Sequence, residues 1–153
     1  VATRRRLTWL DVFTSTPPTG DGLAVVHERD GLDADTMLRV ARETNLSEAT
    51  FLQTATREGA DYRHRTFTTA QEIPFAGHPS LGTARGPRCS RSPPGSAAGS
   101  LCAFLHRLAG VTALRVDQGL AMGRPSRIDT AMDGDRLRVG GECVVVLQGE
   151  LRI

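Results

Sequence analysis

The stretch EIPFAGHPSLGTA, residues 72–84, places a titratable imidazole where chemistry is feasible. Proline suits the first turn of a helix, where its missing N–H costs nothing. Pro79 therefore predicts a helix start, with His78 at the cap and Gly77 just outside it. Ser80, Gly82, Thr83 and Ala84 keep the first turns thin, so a ligand could approach the backbone closely. The unpaired N–H groups and partial positive charge of a helix N-terminus suit a carboxylate or phosphate. An ordinary helix cap explains the same residues, and both readings stand at this point.

A second segment, GSAAGSLCAFLHRLAG at residues 95–110, opens with small residues in the same way. Leu101, Phe104, Leu105 and Leu108 form its expected buried stripe, and Gly110 its stop. Two thin-started helices aimed at one cleft would offer a small carboxylic acid backbone donors from both sides. The elements around them read mostly as β. LTWLDVFT and GLAVVHE alternate like strands, with turn chemistry in STPPTGDG between them. DADTMLRVARE has helical spacing and an aspartate cap at Asp33 or Asp35. ATFLQTAT and YRHRTFTT form an expected hairpin, and Asp133–Gly134 marks another. ALRVDQ, SRIDTAM, DRLRVG and ECVVVLQGELRI complete an α+β architecture, largely antiparallel.

The chain's 153 residues suffice for a real core, and 39% hydrophobic with 24% charged residues fits a globular protein. All nineteen basic residues are arginine, and they scatter; only Arg4–Arg6 form a run, which a solvated arm explains as well as a nucleic-acid contact does. Without a basic patch or aromatic platform, nucleic-acid binding is not expected. Cys89, Cys102 and Cys143 have neither metal spacing nor a disulfide framework, which makes a reducing cytoplasm the expected compartment. LTWLDVF is too short and too interrupted by Asp11 for a signal-peptide core, and no membrane span is expected.

Taken together, LDVFTSTPPTGDGLAVV, NLSEATF, FAGHPSLGTA, GSAAGSLCAFL, QGLAMGRPSRI and VGGECVVVLQGEL resemble the PhzF-like phenazine-biosynthesis family. The resemblance implies a diaminopimelate-epimerase-like fold, with antiparallel sheets curled around central helices in two pseudosymmetric domains. It also implies isomerase or epimerase chemistry: proton transfer on a small carboxylic acid, with no cofactor and no metal. By the same resemblance, Glu48 moves the proton and His78 assists it. Gly77 and His78 bind substrate from one side, and Gly95 and Ser96 from the other. A glutamate does this work near neutral pH when its surroundings are apolar, and Leu46, Ala49 and Phe51 are the expected neighbours. His78, behind a helix N-terminus, is expected to stay neutral.

Full family members are roughly twice as long, the size expected of two domains. The chain divides into an N-terminal half-domain at 1–84, an aberrant Arg/Pro/Ser linker at 85–94 and a C-terminal half-domain at 95–153. Large parts of both domains are therefore expected to be missing, and the linker reads like out-of-frame GC-rich sequence. Arg91 stands where the family has a substrate-contacting aspartate, and Gly20–Asp21–Gly22 replaces the family's GNP. Unpaired sheet edges favour a homodimer or a poorly soluble product. Two functions follow: an isomerase of PhzF type, inactive if the shortening disrupts the cleft, or a non-catalytic remnant that binds a small ligand or oligomerises.

Overall fold

A computed structural model describes residues 3–27, 30–85 and 97–153. Five strands come from the first segment: β1 (Arg4–Val12), β2 (Asp21–His27), β3 (Glu48–Gln53), β4 (Arg63–Phe67) and β5 (Glu72–Ile73). Helix α1 (Ala34–Thr44) lies between β2 and β3, and α2 (Gly77–Arg85) follows β5. Helix α3 (Ala97–Ala109) then leads into β6 (Ala113–Gln118), β7 (Ser126–Asp133), β8 (Arg136–Gly140) and β9 (Cys143–Arg152). A six-stranded sheet has the order β5-β4-β3-β2-β1-β9, and a three-stranded sheet the order β6-β7-β8. The larger sheet thus takes its last strand from the far end of the chain. Among the described residues no helix is long and apolar enough to cross a membrane.

Strand periodicity decides what faces what. In β2, Leu23 and Val25 pack on one face with Leu10 and Val12 of β1, while Ala24 and Val26 pack on the other with Met37, Val40 and Ala41 of α1. β2 and β3 are parallel, a pairing that needs a crossover, and α1 supplies it. Asp33 caps α1 by accepting the Thr36 N–H at 2.7 Å. In β3, Ala49 and Phe51 join the α1 side, where Phe51 meets Phe67 edge to face. Thr50 faces α2 instead, and its hydroxyl lies 2.8 Å from that of Thr83 in a buried pair. Gly82 lets α2 come close: a Cβ there would lie 2.6 Å from Leu23 Cδ2 and 2.9 Å from Val12 Cγ2.

Four local expectations change. Arg4–Arg6 are not a solvated arm but the start of β1, paired with β9 and, at Arg6, with His27 of β2. Helix α2 begins at Gly77, and Ala76 O accepts the Ser80 N–H at 3.3 Å, so His78 and Pro79 lie inside the first turn. Proline is tolerated there because none of those N–H groups has an intrahelical acceptor. The β7–β8 turn centres on Gly134 and Asp135, one residue later than expected, with Gly134 at φ 59°. Helix α3 does end at Gly110, but its stripe is inverted: Ala98, Gly99 and Cys102 are buried, whereas Leu101, Phe104 and Leu108 are exposed. Small residues let α3 sit tightly on the three-stranded sheet, and Leu101, Phe104 and Leu108 are left on its outer side.

His27, on the α2 side of β2, gives a testable pH dependence. Arg6 Nη2 lies 2.9 Å from its Nδ1 and can only donate, so Nε2 carries the proton and donates to Thr8 Oγ1 at 2.9 Å. Burial, helped by the Arg6 charge, pushes the ring down from 6.5 to about 4. Because the unfolded chain takes up this proton first, stability is full above about 6.5 and falls as pH drops toward 4. Replacing His27 with glutamine is expected to remove about 1–2 kcal/mol of that acid loss, as read from urea midpoints across pH 4–7.

Candidate active site

Three acidic or basic side chains meet where β2, β3 and α2 all begin. β2 and β3 run parallel with Leu23 opposite Glu48, so Asp21 and Glu48 start neighbouring strands. Alternation puts both on the face that carries Leu23, the face covered by α2. The first turn of α2 then lowers His78 between them. His78 Nδ1 lies 3.2 Å from Asp21 Oδ2, and Nε2 lies 3.1 Å from Glu48 Oε2. The side chains of His78 and Glu48 are only 10% and 17% exposed, while Asp21 reaches solvent. Ser47 Oγ donates to Asp21 Oδ1 at 3.3 Å, which steadies the carboxylate.

The Glu48–His78 contact has an unusual feature. The two atoms are at hydrogen-bond distance, yet their approach is not aligned, and both are buried without a hydrogen-bond partner. Buried polar atoms are nearly always satisfied, so a pair left open at one point calls for a chemical reason. The ring stands between two carboxyl groups, with Nδ1 facing Asp21 and Nε2 facing Glu48, so a proton can rest on either side of each contact. The first residues of α2, Gly77 and His78, carry N–H groups that have no acceptor within the helix. A group able to hold and pass a proton is thus set beside donors able to hold an anion. The two carboxylates contact opposite edges of the imidazole and cannot converge on one ion; among the described residues no cluster of His, Cys, Asp or Glu has metal-holding geometry.

A family model described as phenazine biosynthesis-like protein (PhzC-PhzF) matches residues 10–87, the segment that carries Asp21, Glu48 and His78. The chain belongs to the phenazine biosynthesis-like family. A trans-2,3-dihydro-3-hydroxyanthranilate isomerase of Pseudomonas aeruginosa is 49% identical over 75 residues, 49% of this chain and 27% of that protein. An uncharacterized isomerase of Pasteurella multocida is 43% identical over 75 residues, 49% of this chain and 26% of its own length. The match therefore spans about a quarter of these curated relatives. Among solved structures, a predicted epimerase from Pseudomonas aeruginosa superposes with a TM-score of 0.81 at 22% identity, covering 96% of this chain and 99% of that one. A PhzF-family protein from Bacillus anthracis gives 0.77 at 14% identity, covering 99% and 100%. These two likenesses establish the fold: α+β, of the PhzF and epimerase-like type.

Glu48 and His78, singled out by motif, are brought together, and Gly77 is the first residue of α2 beside them. Gly95 and Ser96, like Arg91 and most of the linker, lie outside the described residues. The expected apolar neighbours of Glu48 are corrected. Ala49 and Phe51 point to the opposite face and Leu46 packs with them, so α2 and its histidine cover the carboxyl instead. Sequence reasoning missed Asp21 as a partner of His78. Its signal was the strand alternation that puts 21, 23 and 25 on one face, together with an acid where the family motif has an amide.

Proposed function

We propose that this chain carries the proton-transfer half of a cofactor-independent isomerase or epimerase of PhzF type, acting on a small carboxylic acid. The buried, unsatisfied approach of Glu48 Oε2 to His78 Nε2 at the start of α2 carries this reading. The substrate carboxylate would lie against the N–H groups of Gly77 and His78, stabilised by the positive end of the helix. The Glu48 carboxylate would then take a proton from carbon, leaving the electron pair in the adjacent conjugated or carboxylate system. Its new O–H would be shared with the His78 lone pair until the proton returns to a different carbon or face. Asp21 would hold the histidine in the tautomer this requires. Gly95 and Ser96 would grip the other end of the acid, a role supported by their motif alone.

The alternative, a ligand-binding remnant without turnover, draws on the exposed Leu101, Phe104 and Leu108 face of α3. Incubation with a panel of small unsaturated and amino carboxylic acids in D2O separates the two. An isomerase incorporates deuterium at carbon, detectable by mass spectrometry, and loses that ability in Glu48→Gln. Binding without incorporation would leave the remnant reading standing.

A further inference from the structure

Arg124 ends a loop, residues 119–124, that is tightly specified yet buries nothing. Gly119 adopts φ 74°, and its carbonyl accepts the N–H of both Met122 at 3.1 Å and Arg124 at 3.0 Å. A Cβ on Gly119 would lie 2.1 Å from the Arg124 carbonyl oxygen, so the loop closes only around glycine. Its single 3-10 turn, Leu120–Met122, has no buried residue; Leu120 and Met122 are 71% and 81% exposed. Such a loop adds little to a core. Its product is the placement of Arg124.

The guanidinium reaches across to the first segment. Nε donates to Gly20 O at 2.8 Å, and Nη2 donates to Asp11 Oδ1 at 2.9 Å and Thr19 O at 3.4 Å. Pro125 O accepts the Gly20 N–H at 3.1 Å, so Gly20, at φ 74°, is held through both its backbone groups. The next residue is Asp21. Asp11 is 1% exposed, and its second oxygen is buried without a partner. Burial pushes its carboxyl up even though Arg124 opposes this. The Arg124 side chain is 44% exposed, so the pair is buried on one side only; a buried carboxyl left half-satisfied adds little stability, which argues for a geometric task. Asp11 alternates with Leu10 and Val12, so this clamp grips the sheet from the face opposite His78.

We propose that Arg124 is a positioning residue for the proton-transfer site. By clamping Gly20 and Thr19 it fixes where β2 begins, and so holds the Asp21 carboxylate against His78 Nδ1 with the ring turned toward Glu48. This rests on the reading of Glu48 and His78 as a working pair. Only a planar fork spans Asp11 and the two carbonyls together; a lysine satisfies the acid and leaves the loop free.

The test compares Arg124→Gln and Arg124→Lys in the wild-type and Asp21→Ala backgrounds. Three quantities are read: the urea midpoint, the imidazole N–H signals of 15N-histidine-labelled protein, and deuterium incorporation. Both substitutions are expected to broaden or erase the His78 Nδ1–H signal and to slow incorporation about 10- to 100-fold, with lysine recovering stability but not the signal. In Asp21→Ala, Arg124→Gln should lower stability as before and change the ring signals no further. A His78 signal unmoved by Arg124→Gln, or moved equally with and without Asp21, would reduce Arg124 to a structural brace and overturn the proposal. The ring signals are recorded without substrate, so they decide the matter even if the wild type incorporates no deuterium.

Discussion

Glu48→Gln is expected to lower solvent-deuterium incorporation about 10²- to 10⁴-fold while leaving the protein at least as stable in urea. Glutamine keeps the shape of the side chain and its reach toward His78, but it can neither accept a proton from carbon nor return one. Stability should hold because the wild-type carboxyl is itself a cost: it is 17% exposed, and Oε2 is buried without a hydrogen-bond partner. An amide in its place carries no charge to desolvate and can donate to the lone pair on His78 Nε2. Loss of turnover with a preserved or raised urea midpoint is the signature of a group kept for chemistry. Parallel loss of both would mean that Glu48 holds α2 in place instead.

Gly82→Val is expected to cost about 2–3 kcal/mol of stability, and to reduce incorporation although no acid or base has been touched. The physical reason is the close approach of α2 to the sheet. A Cβ at residue 82 would lie 2.6 Å from Leu23 Cδ2 and 2.9 Å from Val12 Cγ2, both on fully buried side chains. The strands are the stiffer partner, so the helix must lift. His78 lies four residues earlier on the same helix, one turn away, and rises with it, opening the 3.1 Å approach to Glu48. The prediction is checked by pairing urea denaturation with the incorporation assay. A valine variant that loses stability but retains full turnover would show that the Glu48–His78 distance is not critical.

What the sequence showed depended on how local each determinant is. Helix α1, with Asp33 as its cap, and the stop of α3 at Gly110 are set by residues a turn away, and both were legible. The β3–β4 hairpin followed from alternation and a polar connection. Glu48 was found through the family motif; its own neighbours pointed the wrong way, because Ala49 and Phe51 face α1. For Asp21, alternation marked the face it shares with Leu23, but its neighbourhood to Glu48 depends on the parallel register of β2 with β3, which no local pattern encodes. Asp11 and Arg124 are 113 residues apart, beyond any periodicity argument. The α3 stripe misled for a different reason. Helical spacing marks an apolar face correctly, but whether that face is covered depends on how many strands lie against it, and here Ala98 and Cys102 make the contact.

The central claim is that Glu48 and His78 act as one proton-holding unit. Its most direct test is a double-mutant cycle on the deuterium-incorporation rate, with Glu48→Gln, His78→Gln and the double variant measured beside the wild type. A single unit predicts strong non-additivity, with the double variant within about threefold of Glu48→Gln alone. A double variant slowed by the full product of the two single losses would show the residues acting independently, and would contradict the account.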